Sequence, residues 1–178
     1  MNIDNSTRLS YALMTKDDAD LLFQLDQDPE VMRYINGGNA NTKEYIETIY
    51  IPRLRSFTDC KKGWGLWKVI ITDTQQFIGW VLVRPMNFFG DSPEFNNLEL
   101  GWRFMREFWG KGYATEAAQT VKNTFINQGT IQQLTAISMV DNTASINIMK
   151  KLNMIFEKKE FHKDPLGDAE VVYYTLPL

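Results

Sequence analysis

The sequence predicts an α+β fold, in which helices flank a mixed β-sheet. Two observations lead to this prediction: paired segments of strand character recur along the chain, and segments of helical character lie between them. A third observation is the length of 178 residues, which fits one domain over residues 1–178 and is enough to bury a sizeable core.

The amino-terminal part is predicted to hold one strand and three helices. Residues 7–13 alternate enough between polar and apolar side chains for a first strand. Residues 15–18 resemble a capping box that opens a helix, and the aspartate and proline at residues 28–29 start a second one. Residues 41–44 cap a longer third helix. Pro52 must kink or interrupt that helix, because proline lacks the N–H that a helix interior needs.

The middle of the chain is predicted to form three strands. Residues 64–72 and 77–83 are rich in valine, isoleucine and aromatic side chains, which favours two strands joined by a turn. Residues 85–97 combine proline, glycine, asparagine and aromatics, and this composition predicts a loop. Residues 98–105 are then predicted to form the fourth strand.

The carboxyl-terminal part completes the predicted sheet. A helix that ends at Gln128 carries its apolar side chains on one stripe. Residues 134–140 are predicted to form the fifth strand, and Asn142 caps a final helix. Residues 155–161 and 171–176 follow as an antiparallel pair, so that about seven strands are expected in all.

Composition narrows the class of protein. The formal net charge of −3 and the pI of about 5.2 argue against nucleic acid as the main partner and are compatible with a cationic amine. The sequence has no apolar run of membrane-spanning length and no signal-peptide pattern at its start. The single cysteine, Cys60, excludes an internal disulfide. We therefore expect a cytoplasmic protein without a membrane partner. We also expect no metal site, because no cluster of His, Cys and carboxylate residues has the spacing of metal ligands.

The most informative segment leads into the long helix and reads Trp109-Gly110-Lys111-Gly112-Tyr113-Ala114-Thr115-Glu116-Ala117. Glycine lets a backbone approach an anion closely, and the free N–H groups at the start of a helix attract negative charge. A strand, a glycine-rich turn and a helix in this order therefore predict a cradle for the phosphate groups of a cofactor.

This segment matches neither of the common nucleotide fingerprints. No hydroxyl follows Lys111, so the segment is not Gly-x-x-x-x-Gly-Lys-[Ser/Thr], and Thr115 holds the third glycine position of Gly-x-Gly-x-x-Gly. Taken alone, the segment also suits a tight turn that binds nothing, or a nucleotide-binding protein of another kind.

Two motifs in order carry a more specific resemblance. The run from Trp109 to Ala114 is similar to the loop Gln/Arg-x-x-Gly-x-Gly/Ala, and Asn142-Thr143-Ala144-Ser145 with Lys151-Leu152-Asn153-Met154 is similar to Asn-x-x-Ser followed by Lys-Leu-Gly-Phe/Met. Together they resemble the GCN5-related N-acetyltransferase (GNAT) superfamily, in particular its branch of ribosomal-protein N-terminal (serine/alanine) acetyltransferases. The early segment Asp28-Pro29-Glu30-Val31-Met32-Arg33-Tyr34 also resembles that branch.

The resemblance implies a sheet that splays between its fourth and fifth strands, with acetyl-CoA as co-substrate in the split. It also implies direct transfer of the acetyl group to a primary amine, without an acyl-cysteine. The residues that it assigns to acetyl-CoA are Trp102, Arg103 and Phe104 through their main chain, the loop Gly110, Lys111, Gly112, Tyr113, Ala114 and Thr115, and the pair Asn142 and Ser145.

The resemblance also implies catalytic roles for two residues. Glu99 stands on the fourth strand, where relatives often carry a catalytic glutamate, and it is the candidate general base, acting directly or through water. Ser145 is the candidate that protonates or hydrogen-bonds the leaving thiolate, because residues 148–150 lack the tyrosine that many relatives use. A backbone N–H of the fourth strand is the expected oxyanion donor. Trp109 departs from the family pattern, since it replaces a glutamine or arginine.

The sequence does not select the class of amine that accepts the acetyl group. A protein N-terminus, a polyamine, an amino sugar and an amino-acid derivative all present a suitable amine, and the protein is expected to be a monomer or a homodimer. The acceptor pocket is predicted from residues 34–41, 86–95 and 161–169. The lone His162 is a weaker candidate base. A CoA-binding sensor or interaction module without turnover is the alternative function.

Overall fold

The computed structural model describes residues 1–162 and 169–178, in which one β-sheet carries helices on both faces. The strands are β1 (Leu9–Leu13), β2 (Gly65–Ile71), β3 (Phe77–Met86), β4 (Glu94–Phe104), β5 (Gln133–Met139), β6 (Ile155–His162) and β7 (Ala169–Pro177). The helices are α1 (Ala19–Leu25), α2 (Pro29–Asn36), α3 (Lys43–Tyr45), α4 (Ile51–Phe57), α5 (Tyr113–Gln128) and α6 (Thr143–Lys151), with 3₁₀ turns at Lys16–Asp18 and Arg106–Phe108.

The sheet has seven strands in the order β1-β2-β3-β4-β5-β7-β6. Neighbouring strands are antiparallel except β4 and β5, which run parallel. The connection between β4 and β5 contains α5, as a parallel pair requires, because the chain must cross back before it can run in the same direction. The predicted α+β fold with a mixed, mostly antiparallel sheet is confirmed.

The parallel pair of β4 and β5 is short, and the two strands then part. Only residues 97–99 of β4 pair with residues 133–135 of β5, and Glu99 opposite Thr135 is the last pair. Beyond this point β4 continues to Phe104 with β3 as its partner on one edge. The expected splay between the fourth and fifth strands is therefore present, and Glu99 stands at its apex.

Each face of the sheet buries its own apolar cluster. Successive side chains of a strand point to opposite faces, so Leu98, Leu100 and Phe104 of β4 pack on the face that α5 and α6 cover. On the other face, Trp80 and Leu82 of β3 pack beneath α1 to α4. Each fully buried leucine contributes roughly 1.5–3 kcal/mol to folding, so both helical layers are fixed firmly against the sheet.

The helices begin at the predicted caps. The Thr15 N–H donates to the Asp18 carboxylate at 2.8 Å, and the Thr15 hydroxyl oxygen accepts from the Asp17 N–H at 3.2 Å. At α2 the Asp28 carboxylate accepts from the Glu30 N–H at 2.9 Å. These bonds satisfy N–H groups that have no partner inside the helix.

The helical run around Pro52 bends through a π-helical segment and does not end there. Residues Ile46–Tyr50 form that segment between α3 and α4, and the Ile51 N–H donates to the Ile46 carbonyl. Pro52 then lies in the first turn of α4, where a missing N–H costs no helical hydrogen bond. The predicted interruption thus takes the form of a local change in helix geometry.

The predicted loop over residues 85–97 is wrong at both ends. Pro85 and Met86 belong to β3, and β4 begins at Glu94, so the connection spans residues 87–93. The strand register shifts between Pro85 and Met86, since Pro85 pairs with Leu98 and Met86 pairs with Glu94. Composition identified the turn but could not show how far the cross-strand pairing extends.

Candidate active site

A cleft of about 390 Å³ opens where β4 and β5 part. Its walls come from the end of β4, the glycine-rich loop, the start of α6 and one face of α2. Of the residues predicted to bind acetyl-CoA, those that line this cleft are Trp102, Arg103, Phe104, Gly110, Gly112, Tyr113, Ala114, Thr115, Asn142 and Ser145. Two motifs that lie far apart in the sequence therefore meet at one opening.

The glycine-rich loop presents free backbone N–H groups. Gly110 and Gly112 have φ angles of 72° and 82°, a region that other residues rarely adopt. The Glu116 N–H donates to the Gly112 carbonyl at 3.0 Å and makes the first hydrogen bond of α5. The N–H groups of residues 113–115 precede that bond and have no acceptor in the described part of the chain.

These free N–H groups stand at the positive end of a 16-residue helix. No side chain caps this helix start, so none of the residues that the structure describes competes with a ligand for those donors. A helix N-terminus with open N–H groups favours phosphate groups through hydrogen bonds and through the helix dipole. The cleft volume lies within the range of about 300–1,000 Å³ usual for ligand sites. The loop thus fits the pyrophosphate of a coenzyme.

Arg8, in the segment before β1, contacts both this loop and the first turn of α5. Its Nη1 donates to the Lys111 carbonyl at 3.1 Å, and its Nε donates to the Glu116 carboxylate at 2.7 Å. The guanidinium also stacks on the Tyr113 ring, 4.3 Å from its centre. Arg8 therefore ties the Lys111 carbonyl of the loop to the first turn of α5. No local motif in the sequence marks Arg8.

Glu116 is the partner that fixes Arg8. Its carboxylate accepts hydrogen bonds from the Ser6 hydroxyl at 2.8 Å and from the Arg8 backbone N–H at 2.9 Å. Burial tends to raise the pKa of Glu116, but these hydrogen bonds and the Arg8 charge outweigh it and hold the pKa below its ordinary value of 4.5. The carboxylate is thus ionised at neutral pH and locks the amino-terminal segment to α5.

Lys111 contributes its backbone but does not line the cleft with its side chain. The Lys111 ammonium lies 5.5 Å from the centre of the Phe108 ring. The long stem of a lysine leaves such a surface group free to change rotamer. A direct contact between Lys111 and a phosphate stays a prediction.

Trp109 has a definite role in this chain, although it departs from the family pattern. Its indole N–H donates to the Phe104 carbonyl at 2.8 Å, and the ring is 47% exposed. The bond ties the loop to the last residue of β4. Trp109 therefore ties the glycine-rich loop to the edge of β4.

The Arg103 side chain is engaged away from the cofactor. Its Nη1 lies 2.5 Å from a carboxylate oxygen of Asp26, which is almost fully buried. Asp26 also accepts from the Asn41 side-chain amide at 2.7 Å. This buried ion pair joins β4 to the end of α1, so the predicted role of Arg103 in cofactor binding rests on its main chain alone.

Asn142 and Ser145 meet at the start of α6. The Asn142 side-chain oxygen accepts from the Ser145 N–H at 3.2 Å and caps the helix. The Ser145 hydroxyl lines the cleft, and no side chain or backbone group among residues 1–162 and 169–178 hydrogen-bonds to it. It is available to a ligand, as its predicted role requires.

A bridge from α2 crosses the mouth of the split. The Tyr34 hydroxyl donates to the Asp141 carbonyl at 3.3 Å, and Tyr34, Val31 and Ile35 line the cleft beside it. Asp141 lies between β5 and α6, so the bridge joins the two sides of the opening. Tyr34 belongs to the segment predicted for the acceptor, and it borders the cofactor cleft.

Glu99 lies at the apex of the split, on the sheet face that α1 to α4 cover, and does not line the cleft itself. Its Oε2 accepts from Arg84 Nε at 2.7 Å. The Arg84 and Glu99 side chains are 17% and 15% exposed. A largely buried carboxylate with a fixed orientation suits a general base, and no local pattern in the sequence marks Arg84 as its partner.

The comparisons with known proteins agree with this geometry. Residues 8–155 match the acetyltransferase (GNAT) domain. The chain belongs to the GNAT acetyltransferase family. Membership makes this GNAT protein an acetyl-CoA-dependent acyltransferase with N-acetyltransferase activity, and it confirms the superfamily that the two motifs indicated.

Relatives of this GNAT protein extend over most of its length. It is 24% identical over 161 residues to the FsC-acetyl coenzyme A-N(2)-transacetylase of Aspergillus fumigatus, which covers 89% of this chain and 67% of that enzyme. A GNAT-family acetyltransferase of Bacillus anthracis superposes with a TM-score of 0.78 at 23% identity, over 99% of this chain and 98% of the other. The RimL ribosomal L7/L12 α-N-protein acetyltransferase in complex with coenzyme A gives 0.77 at 14% identity, over 100% and 98%. The last two similarities concern the fold.

The segments predicted for the acceptor lie in different places. Phe88 and Phe89 pack against Phe57, close to the side of the sheet that carries Glu99. Phe95 instead stacks on Trp64 at 5.9 Å and lines a separate cleft of about 450 Å³. Most of the third segment, residues 163–168, lies outside the described residues.

The lone histidine and the single cysteine stand at separate positions along the chain. His162 ends β6, and Cys60 is exposed in the connection before β2. Within the described ranges, no group of three His, Cys, Asp or Glu side chains is arranged to hold a metal ion. None of the helices in that part of the chain is long and apolar enough to cross a membrane.

Proposed function

We propose that this GNAT protein transfers the acetyl group of acetyl-CoA directly to a primary amine. The observation that carries the proposal is the single split in the sheet, which has free N–H groups of residues 113–115 at its mouth and Glu99 at its apex. The phosphate cradle lines the cleft, and Glu99 lies at the apex of the same split, on the sheet face that α1 to α4 cover.

Backbone groups support the binding of the donor. The N–H groups at the start of α5 suit the pyrophosphate of acetyl-CoA. Residues 100–103 of β4 no longer pair with β5, so their backbone donors and acceptors on that edge can bind the amide-containing arm of the coenzyme. One N–H of this edge is the proposed donor to the thioester oxygen as that oxygen gains negative charge.

Glu99 is the proposed general base. It takes one proton from the ammonium form of the acceptor, directly or through water, and the nitrogen lone pair then attacks the thioester carbonyl carbon. The C–N bond forms and the C–S bond breaks. The nitrogen loses a second proton, which ends on the sulfur of CoA, and Ser145 is the proposed hydrogen-bond partner of that sulfur.

The names of the relatives support an amine acceptor without selecting one. RimL is a ribosomal α-N-protein acetyltransferase, and the Aspergillus enzyme is an N(2)-transacetylase. A protein N-terminus and a small-molecule amine are therefore both acceptors to test for this chain.

The test is the release of thiol from acetyl-CoA in the presence of a panel of amines. The panel contains peptides that begin with serine, alanine or methionine, spermidine, amino sugars and free amino acids. Release that depends on the amine is the expected result. If CoA binds but no amine increases release above the rate of hydrolysis, the transfer proposal fails and a non-catalytic CoA-binding module takes its place.

The role of Glu99 is tested with Glu99→Gln, which keeps the shape of the side chain and removes the base. We expect kcat to fall by roughly 10²–10⁴-fold while CoA affinity is retained, because a positioned base contributes about that factor. Glu44→Gln is the matched control, since Glu44 is exposed on α3 and away from the cleft. Equal activity of the two variants would exclude Glu99 as the base.

A further inference from the structure

The ion pair of Arg84 and Glu99 is satisfied on one side only. The two residues face each other across β3 and β4, and a single hydrogen bond of 2.7 Å joins Arg84 Nε to Glu99 Oε2. A guanidinium can form two parallel bonds with a carboxylate, so this pair uses half of what its geometry allows. The donors Arg84 Nη1 and Nη2 and the acceptor Glu99 Oε1 are left to bind a ligand.

The atoms of the pair that lack a partner are an acceptor with negative charge on Glu99 and donors with positive charge on Arg84. Glu99 Oε1 accepts no hydrogen bond from any residue that the structure describes, and Arg84 Nη1 and Nη2 donate none to those residues. With 17% of the Arg84 side chain and 15% of the Glu99 side chain exposed, both ends reach solvent. A buried or half-buried charged group that keeps unused donors gains most from an ionised partner.

A zwitterion matches this arrangement. We propose that the acceptor is an α-amino acid with a free carboxylate, whose amino group meets Glu99 Oε1 and whose carboxylate binds Arg84 Nη1 and Nη2. This assignment rests on the proposed function and names the acceptor class for the same base. It makes Arg84 a substrate-binding residue and explains why a basic side chain stands beside the base.

Aromatic rings beside Arg84 point to the kind of amino acid. The Arg84 guanidinium carbon lies 5.5 Å from the centre of the Phe57 ring and 5.3 Å from that of Phe89. The Phe89 ring is 41% exposed and also carries the Arg53 guanidinium at 3.7 Å. Apolar surface next to a carboxylate-binding group favours an amino acid with an apolar or aromatic side chain.

The chemistry at the nitrogen is that of the proposed transfer. The amino group gives one proton to Glu99, from which it passes to solvent, and the second reaches the CoA sulfur as the amide bond forms. The substrate carboxylate keeps its charge throughout and only anchors the molecule. The product is an N-acetyl amino acid with one negative charge.

The first test compares L-phenylalanine with L-phenylalaninamide as acceptors for the wild-type enzyme. The two differ in the carboxylate, and the amide has the more easily deprotonated amine, so a nonspecific enzyme would favour the amide. We expect kcat/KM to be at least about tenfold higher for the amino acid, the usual effect of charge-assisted hydrogen bonds. Equal or higher kcat/KM for the amide overturns the proposal.

The second test removes the guanidinium. In Arg84→Met the ratio of kcat/KM for the amino acid to that for the amide should fall to one or below, because the amide has the more easily deprotonated amine. Arg55→Met, which changes an exposed arginine on α4, should keep the wild-type ratio. CoA affinity, measured separately, reports whether each variant is folded. Arg84→Lys keeps a charge but loses the paired donors, so it serves if Arg84→Met does not fold, and it should lower the ratio partway.

The outcomes separate the two proposals. Transfer to amides, polyamines or peptides that exceeds transfer to amino acids overturns the acceptor class and leaves the transferase function intact. An unchanged ratio in Arg84→Met or Arg84→Lys assigns the preference to another residue and also overturns the proposal. A failure of every amine to release thiol overturns both.

Discussion

At the scale of single residues, Arg8 is the clearest functional candidate outside the family motifs. It contacts the Lys111 carbonyl, the Glu116 carboxylate and the Tyr113 ring. Arg8 itself does not line the cleft, although Tyr113 does. Arg8 therefore acts on a coenzyme through the backbone that it orients, and it is a positioning residue.

This role predicts a loss that depends on the phosphate groups of the donor. Arg8→Met should raise KM for acetyl-CoA roughly tenfold, the effect of about one misplaced hydrogen bond. The loss with S-acetylpantetheine, which has no pyrophosphate, should be several times smaller. Steady-state kinetics with both donors measures the difference, and equal losses would indicate a general effect on folding.

At the scale of elements, α5 has a glycine of positive φ at each end. Gly112 precedes the helix with a φ of 82°, and Gly129 follows it with a φ of 63°. A Cβ on Gly112 would stand 3.4 Å from Arg8 Nη2, whereas a Cβ on Gly129 would meet no atom within 4 Å. The same backbone strain thus occurs once at the cleft and once far from it.

Substitution of the two glycines distinguishes the effect of backbone strain on stability from an effect on CoA binding. Gly112→Ala and Gly129→Ala should each lower the free energy of unfolding by about 1–2 kcal/mol, since alanine resists the left-handed region. Only Gly112→Ala should also weaken CoA binding, because the loop N–H groups shift with it. Chemical denaturation and calorimetric titration of CoA give the two quantities. Weaker CoA binding in Gly129→Ala would show that strain alone is responsible.

At the scale of the whole molecule, Glu116 connects the amino-terminal segment to α5, the helix that follows the glycine-rich loop. Its pKa is lowered in the folded protein, so its stabilisation is fully present above pH 4.5 and is lost as pH falls through the folded pKa. The Tm difference between wild type and Glu116→Gln should therefore be constant near neutral pH and shrink below pH 4.5. A difference that persists in acid would mean that the hydrogen bonds act without the charge.

How much of this molecule the sequence predicts depends on the distance between the interacting residues. The glycine-rich loop and the Asn142 cap could be predicted, because their geometry is fixed by neighbours within a few residues. The bond from Arg8 to Glu116 spans 108 positions, and no local pattern shows it. Tyr34 and Asp141 are 107 positions apart for the same reason. Composition and periodicity report local structure, whereas these contacts exist only once the sheet has formed.

The unpaired edge of β4 links the half-life of the protein in the cell to the supply of coenzyme. Beyond Glu99, β4 and β5 share no hydrogen bonds, so a coenzyme in the split would add the missing partner to the strand edge. A ligand at one hundred times its Kd stabilises a fold by about 2.7 kcal/mol. Resistance to proteases should then rise with the supply of CoA, and starvation for the coenzyme should shorten the half-life of the enzyme as well as stop its turnover.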